Sequence, residues 1–152
     1  MNKTTAAALT FTAVLLSSTL AHAADFSVEP LKDGDAFIGC LAQNTQSGIG
    51  FLAVGDKVAL FANTARFPFE KGDEVKGSWS VDDGDEAEFS STADSAHTAT
   101  IDVPNTSEAV LALTSGKELN VTANGVEGQF PLAGAKQAFT DLIACVEKEG
   151  AE

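Results

Sequence analysis

Tyrosine is absent from this 152-residue sequence, and tryptophan and methionine occur once each. Of the two histidines, His22 falls in an N-terminal stretch with the features of an export signal, which leaves His97. A Ser–His–Asp triad would have only His97 to use, and it sits among Ser95, Thr98 and Thr100 with no acid partner suggested. A zinc site needs more histidines or unpaired cysteines than the chain holds. Gly-x-Ser-x-Gly, His-Glu-x-x-His and phosphate-binding glycine loops are all missing, and nothing calls for a cofactor. Basic residues are scarce: 9 Lys and Arg stand against 22 Asp and Glu, for a formal charge of −13. Such a surface repels nucleic acid and anionic headgroups. No hydrophobic run of membrane length follows the N-terminal stretch.

What is present begins with that stretch. Lys3 precedes an uncharged, mostly apolar core over residues 6–16, and Ala21-His22-Ala23 fits the small-x-small rule of signal peptidase. Residues 1–23 read as a cleavable signal peptide and 24–152 as one β-rich exported domain. The core is too short and too rich in Thr and Ser to span a bilayer comfortably, which takes about 20 apolar residues. No cysteine follows the cleavage site, so a lipid anchor is not expected. The short charged start and the Ala-x-Ala site point to a Gram-negative periplasmic or secreted protein. Cleavage removes one charge, Lys3, so the formal charge of −13 becomes −14. Two cysteines remain, Cys40 and Cys145, and an even count in an oxidising compartment reads as a disulfide.

Apolar runs at 37–42, 49–54 and 58–62 are separated by polar or Gly-Asp turns and read as strands. Val75, Gly77, Trp79 and Val81 alternate with Lys76, Ser78 and Ser80, the clearest period-two pattern in the chain. Asp82-Asp83-Gly84-Asp85 turns the chain into a returning strand with Ala87 and Phe89, and 97–103 is rich in Thr and β-branched residues. Residues 105–113 carry cap residues and an early Glu before an apolar run, which predicts a short helix, with a strand as the alternative. A strand follows at 119–122, then an Asn124-Gly125 turn and an edge strand interrupted by Pro131. Residues 134–148 form the best helix, with Ala138, Leu142 and Cys145 on one face and Phe139, Ile143 and Val146 beside it. Residues 147–152 are expected to fray. The fold class is mainly β: a β-sandwich-like domain with a short helix, a C-terminal helix and one disulfide.

Three groups of residues are candidates for function. Asp82, Asp83, Asp85 and Glu86 form a ligand-like acidic run, although it lacks the spaced acids of a calcium loop and lies where turn chemistry alone wants Asp and Gly. Arg66, Phe67 and Phe69 form the candidate partner contact: the only arginine lies beside two aromatics, and Pro68 keeps the segment extended. A loop that tucks both phenylalanines into the core is the competing reading. Trp79 sits on the apolar side of its strand, where core packing competes with ligand stacking.

The C-terminal portion, Leu113-Thr-Ser-Gly116-Lys-Glu-Leu119-Asn-Val121, then Phe130-Pro-Leu132-Ala-Gly134, then Ala138-Phe-Thr-Asp-Leu142-Ile-Ala-Cys145, resembles the ending of small exported proteobacterial proteins of the invasion-associated locus B type. Cys40 and Trp79–Val81–Asp82 fit the same layout loosely. The resemblance implies a β-rich exported domain with a role at the cell envelope or in host-cell invasion, and it supplies no catalytic residues. This chain departs from the pattern in its acidity and in having only two cysteines.

The expected function is therefore that of a non-enzymatic envelope or host-interaction protein acting on a protein partner, an inhibitor or invasion-associated factor among its forms. A small-ligand or divalent-cation-binding periplasmic module is the alternative. The export reading makes a direct prediction. N-terminal sequencing of the protein recovered from periplasm or medium should begin at Ala24; material that still starts at Met1 would show that the signal is not cut.

Overall fold

The computed structural model describes residues 26–151, so the expected signal peptide, 1–23, lies outside the described residues. Strands β1 (Ser27–Asp33), β2 (Ala36–Asn44), β3 (Ile49–Val54) and β4 (Lys57–Asn63) follow one another as antiparallel hairpins. The chain then crosses to a second sheet for β5 (Glu74–Val81) and β6 (Ala87–Thr92) and returns with β7 (Thr98–Val103), which pairs with β4. Helix α1 (Ser107–Ser115) leads to β8 (Glu118–Ala123) and β9 (Val126–Pro131), and α2 (Ala135–Glu149) ends the fold. The two sheets have the orders β1-β2-β3-β4-β7 and β6-β5-β8-β9. This is the mainly-β, sandwich-like arrangement with a short and a C-terminal helix that the hydrophobic periodicities predict.

Period-two alternation gives each sheet one apolar face. In the five-stranded sheet Cys40, Ala42, Phe51, Leu60, Ala62, Ala99 and Ile101 are buried. In the four-stranded sheet Val75, Trp79, Leu119, Val121 and Phe130 are buried. Each large side chain among them contributes roughly 1.5–3 kcal/mol by leaving water. Trp79 is thus a core residue. At the β8–β9 turn both Asn124 and Gly125 take positive φ, 47° and 81°, as an Asn-Gly hairpin turn requires. The Asn124 side chain also ties the turn to β5, accepting from Lys76 N at 2.9 Å and donating to Glu74 O at 3.1 Å. Gly77 has no alternative on β5, because a Cβ there would collide with the Thr122 carbonyl of β8.

Both helices obey local chemistry. Thr106 caps α1 by accepting from Ala109 N at 3.3 Å, and Gly116 ends it. Helix α2 packs on β1, β2 and β3 and buries Ala135, Ala138, Phe139 and Leu142. The Phe139 ring meets Phe51 with centroids 4.5 Å apart, and Phe51 stacks on Phe26 at 5.7 Å. Cys145 is bonded to Cys40, with Cα atoms 6.2 Å apart, within the usual span for a disulfide.

Two expectations about α2 need correction. Ile143 is 56% exposed, because sheet lies on one side of the helix only and the apolar stripe is narrower than the pattern suggests. Residues 147–149 also do not fray as expected: the helix runs to Glu149, which pairs with Lys32 of β1 at 3.5 Å. Strand β1, with Pro30 and alternating charges, was not anticipated by periodicity at all.

The bond closes a sequence separation of 105 residues, for which chain entropy predicts about 4.7 kcal/mol less any native strain. Cys145→Ala should therefore lower the unfolding free energy by about 2–5 kcal/mol in denaturant titration. On the same helix Leu142→Ala should cost about 2–5 kcal/mol. Ile143→Ala should stay within about 0.5 kcal/mol of the parent. Alkylation of both thiols without reductant would contradict the bridge.

Candidate functional site

The segment between β4 and β5 does not present its aromatics to solvent. Phe67 is 0% and Phe69 2% exposed, their rings stacked at 5.3 Å, and Phe67 also meets Phe130 of β9 at 6.3 Å. The loop is a plug that closes one end of the sandwich. The expectation that Phe67 and Phe69 form a partner contact is thereby corrected: the gap between the two sheets takes both rings, and only Arg66 is left outside.

His97 holds the plug in place. Its backbone N donates to Phe69 O at 3.0 Å, its carbonyl accepts from Thr64 N at 3.1 Å, and its Nδ1 lies 2.6 Å from Phe67 O. A carbonyl only accepts, so Nδ1 carries the proton in this contact. The residue reaches all three partners from a left-handed backbone, φ 59°, a conformation that costs roughly 1–2 kcal/mol for a residue other than glycine. The one histidine among the described residues is committed to the fold. Arg66 makes no ion pair among the described residues.

The acidic run is divided by its geometry. Asp82, at φ 51°, turns its carboxylate to the backbone N–H groups of Lys117 at 3.1 Å and Glu118 at 3.0 Å. Its carbonyl accepts from Asn120 Nδ2 at 3.1 Å, so the turn is laced to the start of β8. Asp83, Asp85 and Glu86 remain exposed. Among the described residues no three His, Cys, Asp or Glu side chains come together to hold a metal ion. The candidate metal set Asp82, Asp83, Asp85 and Glu86 is therefore not a built site. The physical reason is that the Asp82 carboxylate turns to the Lys117 and Glu118 amides at the start of β8, while Asp83, Asp85 and Glu86 stay on the exposed turn and do not converge with it.

Two of the surface hollows bear on function. One, of about 670 Å³, lies across β5, β6 and β8 and is bordered by Lys76, Ser78, Glu88, Ser90 and Thr122. Its aromatic neighbour, Phe89, packs against the core. The other, of about 390 Å³, lies where the β2–β3 turn, the end of β4 and the start of β7 meet, beside the plug. Phe61, Gln43, Asn63, Ser95 and Thr98 line it. Asn44 borders it too, 97% buried by its 3% exposure, with Oδ1 held by Gln46 N and Ser47 N at 3.0 Å each. Those two donors fix the amide orientation and leave Nδ2 buried without a protein partner, at a cost of about 1–3 kcal/mol. Sequence reasoning did not find this cleft, because its residues come from four separate turns and strand ends that carry no shared motif.

No family model, no curated protein and no solved structure matches the chain.

Two substitutions follow from the geometry. Phe67→Ala should lower stability by about 3–5 kcal/mol, through the cavity left at the plug. In the acidic run Asp82→Ala should lower the thermal midpoint measurably, since two backbone donors lose their acceptor. The double change Asp83→Asn with Asp85→Asn should leave unfolding within about 0.5 kcal/mol of the parent. Equal effects at 82 and at 83 with 85 would contradict the assigned role of Asp82.

Proposed function

We propose that the chain is an exported, non-enzymatic binding domain of the bacterial envelope or host-facing surface, which grips a protein partner through the Arg66 loop. The observation that carries this reading is the state of Arg66. In a chain with 22 acidic residues, its only arginine is exposed and without an ion pair among the described residues. It also stands on a loop made rigid by the buried Phe67 and Phe69 and by the three contacts of His97. A loop held in place loses little backbone order on binding, and arginines are among the residues that dominate interfaces.

Other observations support the setting. The Cys40–Cys145 bond suits an oxidising compartment. Among the described residues no helix is long and apolar enough to cross a membrane. The resemblance of the last third to invasion-associated locus B-type proteins favours the envelope or the host surface, where an inhibitor or an invasion factor would each act by gripping another protein. The commitment of His97 to the plug supports a binding role over a catalytic one. A carboxylate of the partner, facing the otherwise acidic surface, is the group that Arg66 would select.

A photoreactive phenylalanine analogue at the exposed Ala65, with Arg66 intact, tests this in the producing cell. A discrete adduct should form at position 65, be much weaker from a control position at Lys136, and disappear with Arg66→Glu while the melting curve stays unchanged. Loss of an anchor of this kind corresponds to about 2 kcal/mol, or about thirtyfold in Kd. Adducts that persist with Arg66→Glu, or that form equally at Lys136, would overturn the reading.

A further inference from the structure

We propose that the cleft between the β2–β3 turn, the end of β4 and the start of β7 binds a neutral saccharide, seating one sugar ring on Phe61 and its hydroxyls on Gln43 and Asn63. The first ground is charge. No Asp, Glu, Lys or Arg lines this cleft, although the chain carries a formal −13. An anionic ligand would find no cation there and a repelling surface around it, and a cationic ligand would find no carboxylate. A purely apolar ligand would strand amides and hydroxyls that water now serves.

The second ground is the aromatic wall. On β4 Leu60 and Ala62 face the core, so Phe61 faces outward, opposite Gly50 of β3. A Cβ on Gly50 would run into the tip of the Phe61 ring, so glycine there is what lets the ring lie down across the sheet. Phe61 is only partly buried and borders the cleft. An aromatic face carries negative potential, which suits the weakly positive C–H face of a sugar ring.

The third ground is the set of free polar groups beside that ring. Asn63 Nδ2 donates to Thr98 Oγ1 at 2.7 Å and to Ala96 O at 3.3 Å, which uses both its hydrogens and orients Oδ1 as a free acceptor. Ser95 Oγ donates to Thr98 Oγ1 at 2.8 Å and braces the same cluster. The side chain of Gln43 has no partner among the described residues, and its amide both donates and accepts. Hydroxyls, which also donate and accept, can satisfy such an array without any charge. A volume of about 390 Å³ lies in the range of small-ligand pockets, about 300–1,000 Å³. An extended peptide is the weaker occupant: β3 and β4 are interior strands of their sheet, so no free backbone ladder is offered to it.

The proposal goes beyond the Arg66 reading and can fail independently of it. The oxidised chain 24–152 would be titrated, with backbone and aromatic NMR shifts as readout, against millimolar cellobiose, maltose and N,N′-diacetylchitobiose. Glucuronic acid, glucosamine and a short Ser/Asn peptide serve as charged and peptidic comparators. At least one neutral disaccharide should shift Gln43, Phe61 and Thr98. Its affinity should fall about tenfold or more with Phe61→Ala and severalfold with Gln43→Ala, survive Phe61→Trp, and be unchanged by Arg66→Glu. Gln43→Ala keeps the test open should Phe61→Ala fail to fold. Absence of shifts with all three sugars overturns the proposal. So do shifts confined to Lys76 and Ser90, an affinity indifferent to Gln43→Ala, or a response to the peptide or the charged sugars alone.

Discussion

A five-stranded sheet facing a four-stranded one leaves apolar surface uncovered, and the remaining architecture answers that mismatch. The four-stranded sheet meets its partner on the β4–β7 side, where β6 approaches β7 and Phe130 approaches the plug. The β1–β2–β3 side is covered by α2, whose Phe139 lies against Phe51. Helix α2 comes last in the chain and has a single narrow apolar stripe, so its own helical preference could not hold it there; short helices owe their stability mostly to packing. The Cys40–Cys145 bond fixes it covalently to β2, and the small residues Ala42 and Ala53 on the inner face leave room for Phe51 and Phe139 to interdigitate.

The other weak point of a sandwich is its open end. There the chain supplies a plug rather than a helix: Phe67 and Phe69 enter the gap, and Pro68 between them stays outside. A loop that carries buried aromatics must still satisfy its backbone carbonyls. His97 does this for Phe67 and Phe69 from a left-handed backbone, and the energy stored in that conformation is offset by three hydrogen bonds in one place. The plug begins directly after Asn63, and Thr98 directly follows His97, so the pair Asn63–Thr98, joined at 2.7 Å, stands at its base. Core and surface are coupled here within a few residues.

This coupling explains what could be read from the sequence and what could not. Strand β5 was legible because Val75 and Trp79 point one way and Lys76 the other, and α1 was legible from its Thr106 cap. The bridge was legible from compartment and cysteine count. Strand β1 was not, since an edge strand with Pro30 and no fully buried residue leaves no periodic trace. Arg66-Phe67-Pro68-Phe69 shows why local pattern cannot separate core from contact. An extended aromatic pair points to one face in either case, and only the gap between two distant sheets decides which face is wet. Ile143 shows the same limit on a helix, where the width of the buried stripe depends on how much sheet lies beneath it. The cleft at Phe61 was illegible for a further reason: its polar residues are ordinary turn residues, and they gain meaning only where β2, β4 and β7 end together.

Charge placement links these features to function. The acids of this chain sit mostly on exposed turns and outer faces, as with Asp83, Asp85 and Glu86, where water screens them and they oppose self-association. Asp82 departs from that pattern because two backbone amides claim it. Against this acidic background, the β4–plug–β7 end differs in two ways: it displays the single arginine, and it borders a cleft lined only by neutral groups. Solubility alone would not require either feature, since any exposed lysine or acid would serve it. On the two proposals made for it, this end would read a partner in two ways, the cleft by shape and hydroxyl chemistry and Arg66 by charge. His97 links the two regions along the chain: it holds the Phe67 and Phe69 carbonyls and the Thr64 amide, and the next residue, Thr98, lines the cleft.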